Sequence, residues 1–129
     1  MEPERYIEVG EERRWELQTP IQIYIREDLP HLAGHSRDIS LYGIHIEIGV
    51  KLPINSLVTL EVYFQRANVF DFIDQDPLKV KAQVVWRNAL SEDDYSSWET
   101  GLQFVNITQE QQNTVRNEVT VLEELIPEA

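Results

Sequence analysis

The sequence predicts a mainly β domain: six strands in a small antiparallel barrel or sandwich, with a C-terminal α-helix. Three observations predict it. Apolar residues recur at every second position in one stretch after another through the middle of the chain, the period of a strand with one face buried. Turn signals separate those stretches, which suggests an antiparallel arrangement. Only the tail changes to a helical period.

The first strand is read from Ile21, Ile23 and Ile25, which alternate with Gln22, Tyr24 and Arg26. A break at residues 28–30 follows, and a second strand is expected near residues 34–39. Ile44, Ile46 and Ile48 alternate with His45 and Glu47 and give a third. Residues 51–56, with Pro53 and Asn55, form a connection. Val58, Leu60, Val62 and Phe64 make the fourth strand, and Val80, Ala82, Val84 and Trp86 the fifth. Residues 100–105, with Leu102 and Phe104 on one side, make the sixth. Closing the six into a barrel removes exposed edges. The connection at residues 65–77 is long for a hairpin loop and is expected to pack as a lid.

Thr108 and Gln111 have the spacing of a capping box, in which each side chain satisfies the other residue's backbone N–H. Val115, Val119, Leu122 and Ile126 then form one apolar stripe of a helix that ends near Pro127 and packs on the barrel. Residues 1–12 are thus an N-terminal arm and residues 13–126 one domain, with the barrel at about 20–107 and the helix at about 108–126.

Composition narrows the function classes. At 129 residues the chain closes one core. It has no cysteine, which removes disulfides, thiolate metal sites and cysteine nucleophiles, and agrees with a reducing compartment. The polar, acidic start carries no apolar signal segment, and no apolar run is long enough to span a bilayer. A cytoplasmic protein without membrane insertion is expected. The net charge of −12 repels nucleic-acid polymers and anionic surfaces. Salt screens that field beyond about 10 Å, so a small anion can still bind where arginines stand locally.

Catalytic chemistry has little to work with. His31 and His35 have the spacing of a helical ligand pair, but Pro30 and Gly34 exclude a helix there. His45 falls on the polar face of its strand, and all three histidines are read as surface or turn residues. No nucleophile motif and no phosphate-cradling Gly-rich loop is present, and the acidic run at residues 92–94 reads as a solvated loop. The expectation is a non-enzyme with no metal and no cofactor.

Two constellations remain: Arg13 and Arg14 shortly before the first strand, and Asp38, Ser40 and Gly43 just ahead of the alternating isoleucines. The second can be a turn, since Asp and Ser bond nearby backbone and glycine admits conformations closed to other residues. It also sets an acceptor, a hydroxyl and a glycine together. A carboxylate can accept the N–H donors on guanine's Watson–Crick edge, while arginine complements O6 and N7 and stacks on bases.

These residues resemble the PilZ family, small β-barrels that serve as receptors or adaptors in bacterial cyclic di-GMP signalling. The family's D/N-x-S-x-x-G motif is complete as Asp38, Ser40 and Gly43. Val84, Val85 and Trp86, then residues 101–104, resemble its later strands, and a helix like 108–126 commonly follows. The likeness covers roughly residues 11–126. The family's R-x-x-x-R motif is incomplete: Arg14 stands at the second arginine and Gly10 at the first.

The resemblance implies a six-stranded antiparallel β-barrel of the PilZ-like, split-barrel type with a C-terminal α-helix, and a cyclic di-GMP-binding regulatory module of weakened affinity. One missing charge-assisted hydrogen bond, about 1.5–3 kcal/mol, corresponds to about ten- to a hundredfold. Arg14 or Arg13 would engage guanine and phosphate, Asp38 and Ser40 a guanine edge, and Gly43 would permit close approach. Arg37, or stacking on Trp86, would compensate for the missing arginine, although Trp86 also suits the core. The alternative is a nucleotide-independent adaptor of the degenerate PilZ type, acting through an unidentified protein partner.

Overall fold

A computed structural model describes residues 6–7, 12–64, 77–90 and 96–125. Three two-residue strands, β1 (Tyr6–Ile7), β2 (Glu12–Arg13) and β3 (Trp15–Glu16), precede the long ones. Then come β4 (Pro20–Tyr24), β5 (Leu32–Ile39), β6 (Gly43–Ile48), β7 (Leu57–Val62), β8 (Leu78–Ala89) and β9 (Trp98–Val105), and the helix α1 (Gln109–Leu125).

Six strands close on themselves. Antiparallel pairing runs β4–β5–β6–β9–β8–β7 and returns from β7 to β4, so every barrel strand has a neighbour on both sides. The alternating residues fill the interior: Ile21, Ile23, Ile39, Ile44, Ile46, Leu60, Val62, Ala82 and Val84 are all essentially inaccessible. Burying such side chains contributes roughly 1.5–3 kcal/mol each. Phe64 lies just past β7 but is buried with them.

β3 is the extra strand. It pairs with the far end of β5, Trp15 opposite Ile39 and Glu16 opposite Asp38, while β4 pairs with the near end. The chain kinks between the two at residues 17–19, and Ser36 holds the kink. Its buried hydroxyl donates to the Leu17 carbonyl and accepts from the Thr19 N–H at 3.0 Å. The Ser36 N–H donates to the Thr19 carbonyl. Arg14, just before β3, is thereby set beside Asp38.

α1 opens with the expected capping box. The Gln111 N–H donates to Thr108 Oγ1 at 3.1 Å, and the Thr108 N–H donates to Gln111 Oε1 at 3.0 Å. Val115 and Val119 are buried in the barrel's own core cluster. Gln111 also donates to the Lys79 carbonyl and Gln112 to the Leu41 carbonyl, fastening the helix start to β8 and to the β5–β6 turn.

Two expectations are corrected. The first barrel strand stops at Tyr24, whose pairing with Thr59 is the last between β4 and β7, so Ile25 lies outside the core and is exposed. Trp86 does not pack in the core, because an irregularity in β8 turns it outward. Residues 65–76, the acidic run at 92–94, and Ile126 lie outside the described residues. Among the described residues, no helix is long and apolar enough to cross a membrane.

Candidate functional site

Two β-bulges build the site. On β5 the register shifts between Ser36 and Asp38, so Arg37 is the extra residue. Ser36 and Ile39 point inward and the two residues between them point out. On β8 it shifts between Val84 and Trp86, making Val85 extra. Val84 is buried, whereas Val85 and Trp86 both emerge, Trp86 to 40% exposure. A bulge sets two residues against a single partner and reverses the facing of the residues beyond it. Strict alternation therefore places Trp86 in the core, and the bulge turns it outward.

Asp38, Val85 and Trp86 line a cleft of about 460 Å³, together with Arg14, Tyr42, Gly43, His45, Gly101 and Gln103. A second groove of about 520 Å³, lined by Tyr24, Leu57, Lys79 and Lys81 among others, gathers none of the residues singled out from the sequence.

A charged chain crosses the cleft. Arg14 Nε donates to Asp38 Oδ1 at 2.5 Å. Asp38 Oδ2 meets His45 Nδ1 at 3.0 Å, and His45 Nε2 meets Glu99 Oε1 at 2.9 Å. Partial burial alone would push the Asp38 carboxyl up. The hydrogen bond from His45 and the charge and hydrogen bond of Arg14 outweigh it and hold Asp38 below the ordinary carboxylate value. His45 is raised above the ordinary imidazole value, first by its hydrogen bond to Asp38 and further by the charges of Asp38 and Glu99, against the opposing effect of burial.

Small residues shape the floor. The Trp86 indole lies on Gly101, where a Cβ would fall 2.1 Å from Nε1, and meets the His45 ring edge-on at 5.0 Å between centroids. At Gly43 a Cβ would fall 2.5 Å from the Leu102 carbonyl oxygen, so only glycine lets β6 approach β9 this closely. Ser40 is fully buried. Its hydroxyl accepts from the N–H groups of Tyr42 and Gly43 at 3.0 and 3.1 Å, and its own N–H donates to the Gly43 carbonyl at 2.8 Å. It locks the turn between β5 and β6 from beneath the cleft.

The structure thus brings Arg14, Asp38, Gly43 and Trp86 to one cleft and places Ser40 below it. Arg13 is exposed and stands over the Trp15 ring, 5.7 Å from its centroid. Arg37 pairs with Glu47 at the cleft's flank. His45, read from the sequence as a surface histidine, is half-buried between two carboxylates. Glu99 was not singled out at all. Its strand position is diagonal to His45, since Glu99 faces Glu47 and His45 faces Gly101, and that register is invisible until β6 and β9 are paired. Among the described residues, no cluster of three or more His, Cys, Asp or Glu could hold a metal ion.

A family model described as the PilZ domain matches residues 9–120. No curated protein matches. Similar solved structures include the Bacillus subtilis inhibitor of motility MotI/DgrA, at TM-score 0.69 and 14% identity, covering 95% of this chain and 55% of that one. The Escherichia coli YcgR complex with cyclic di-GMP superposes at TM-score 0.65 and 14% identity, covering 88% of this chain and 46% of that one. The isolated YcgR PilZ domain with cyclic di-GMP gives 0.64 and 13%, covering 88% and 91% respectively. The chain therefore spans about half the length of the first two. At these identities the likeness shows the fold.

Proposed function

The chain belongs to the PilZ family, and from that premise we propose that it is a non-enzymatic regulator that binds cyclic di-GMP in the cleft between Arg14 and Trp86. The observation that carries this reading is the Arg14–Asp38 pair. Two motif residues, 24 positions apart in sequence, meet at the mouth of a cleft that also holds Trp86 and Gly43.

The chemistry is complementary. Asp38 uses one acceptor site of each oxygen on Arg14 and His45, and a carboxylate has about four such sites. Its remaining ones can take the two N–H donors of a guanine edge. Arginine carries five donors in a rigid fork, so a bond through Nε is compatible with its meeting guanine O6 and N7 or a phosphate. The outward indole offers a stacking surface worth about 1–3 kcal/mol per base. Ser40 acts by holding the turn that presents Asp38 and Gly43. With Gly10 where a second arginine would stand, affinity is weakened. Ligand engaging Arg14 would reset the segment leading into β3 and so change a surface that a protein partner reads, in the bacterial cytoplasm.

A second reading, a nucleotide-independent adaptor, is favoured by the same glycine and by Asp38 already having cationic partners without ligand. Calorimetric titration with cyclic di-GMP separates the two. Saturable binding that weakens about ten- to a hundredfold in Arg14→Ala and in Asp38→Ala supports the receptor. Flat heats with folded protein leave the adaptor.

A further inference from the structure

The acid–imidazole–acid arrangement on β5, β6 and β9 does more than fill the floor of the cleft. We infer that Glu99 is a positioning residue of the nucleotide site: it keeps His45 doubly protonated, and His45 in turn fixes Asp38 in the orientation a guanine edge requires. This inference rests on the cyclic di-GMP reading of the cleft.

Both ring nitrogens of His45 sit within hydrogen-bond distance of a carboxylate oxygen, 3.0 Å to Asp38 and 2.9 Å to Glu99. Ionised carboxylates only accept, and a neutral imidazole donates from one nitrogen alone. A neutral ring would therefore set a lone pair against one of the two acids, whichever tautomer it took. The imidazolium satisfies both. Its environment favours that form: Asp38 from β5 and Glu99 from β9 lie against it, the uncharged Trp86 ring meets it from β8, and Glu47 stands two residues along its own strand, while the cations Arg14 and Arg37, which oppose it, are paired with Asp38 and Glu47. Glu47 and Glu99 lie directly opposite each other, an unfavourable like-charge pair. Arg37 answers the first and His45 the second.

The consequence for the site is geometric. Asp38 is held by two donors from opposite sides, Arg14 on Oδ1 and His45 on Oδ2, which fixes the carboxylate plane. Loss of the His45 proton removes or weakens one of these holds. Arg14 and Asp38 are motif residues and were legible in the sequence; Glu99 contributes without touching the ligand.

Glu99→Gln isolates this role. The Gln amide can donate to Nε2, so a neutral His45 can satisfy both neighbours while still donating from Nδ1 to Asp38. Cyclic di-GMP calorimetry across the range in which imidazoles titrate, paired with an NMR titration of the His45 ring in the free protein, reads both ends of the relay. In the wild type, affinity is expected to fall about tenfold as pH rises through the His45 titration. In Glu99→Gln the His45 titration moves to lower pH and affinity stays level over the range where the wild type declines. A Glu99→Gln profile that superimposes on the wild type, an affinity lowered by one constant factor at every pH, or an unmoved His45 titration overturns the inference. Absence of cyclic di-GMP binding at all pH values in both proteins sinks the nucleotide reading instead, and the NMR titration then still decides whether Glu99 holds the proton on His45.

Discussion

Trp86 and Gly101 meet so closely that a side chain added at residue 101 must displace the indole. A Cβ on residue 101 would strike the indole, whereas one on residue 43 would strike the Leu102 backbone oxygen. An indole at 40% exposure can swing aside, but a barrel strand cannot. Gly101→Ala is therefore expected to cost only about 1 kcal/mol of stability, the value of the lost ring contact, while weakening cyclic di-GMP binding about tenfold through lost stacking. Gly43→Ala is expected to cost about 1–3 kcal/mol as an overpacked backbone contact. Urea midpoints and calorimetry on both variants check the contrast; equal stability losses would contradict it. His45 and Asp38 give the molecule a pH dependence whose sign follows from their shifts. His45 is raised above 6.5 in the folded state, so its contribution is complete below that value and is lost as pH rises through the folded one. Asp38 is lowered below 3.8, so its contribution is present above that value and is lost as pH falls through the folded one. The stability gap between wild type and His45→Gln is thus widest below pH 6.5 and closes on the alkaline side, as urea titrations at a series of pH values will show. At this scale the sequence exposed Asp38, Gly43 and Arg14 through their spacing. It misled about Trp86 and His45, because a one-residue bulge and a cross-strand partner leave no periodic trace.

Ser36 fixes how the elements meet. Its hydroxyl joins Leu17 to Thr19 across the kink between β3 and β4, and that kink brings Arg14 to Asp38. Ser36→Ala leaves a buried N–H and a buried carbonyl each short of a partner, an expected loss of about 1–3 kcal/mol by denaturant unfolding. Because the kink also aims Arg14, cyclic di-GMP affinity should fall with it, and an unchanged affinity would separate the kink from the site. Five of the barrel strands were legible because they repeat the two-residue period against clear turn residues, the second only from the break before it, and the helix because its capping box and stripe agree. Strands β1, β2 and β3 were not legible. Two residues carry no period, and their pairing depends on partners on other parts of the chain.

The barrel as a whole presents its site where two irregular strands, β5 and β8, face each other across β6 and β9. Counting strands in the sequence left a barrel and a sandwich both open, since edges can also be blunted or covered; the PilZ resemblance is what pointed to closure. The order β4–β5–β6–β9–β8–β7 was not available from the sequence, and that order is what sets Glu99 beside His45 and Trp86 above Gly101. In a molecule of net charge −12, Arg14 lines the cleft beside Asp38, Arg37 is paired with Glu47, and His45 sits between carboxylates. The proposed binding of a doubly anionic ligand rests on that local arrangement against the wider field. Amide and indole N–H chemical shifts followed during titration with cyclic di-GMP test this most directly, with the Trp86 resonance assigned by Trp86→Phe. Saturable shifts centred on Asp38, Gly43, Gly101 and the Trp86 indole, and reaching Arg14 and the segment leading into β3, are the predicted result; shifts centred on the groove around Lys79 and Lys81, or none at saturating ligand, would contradict it.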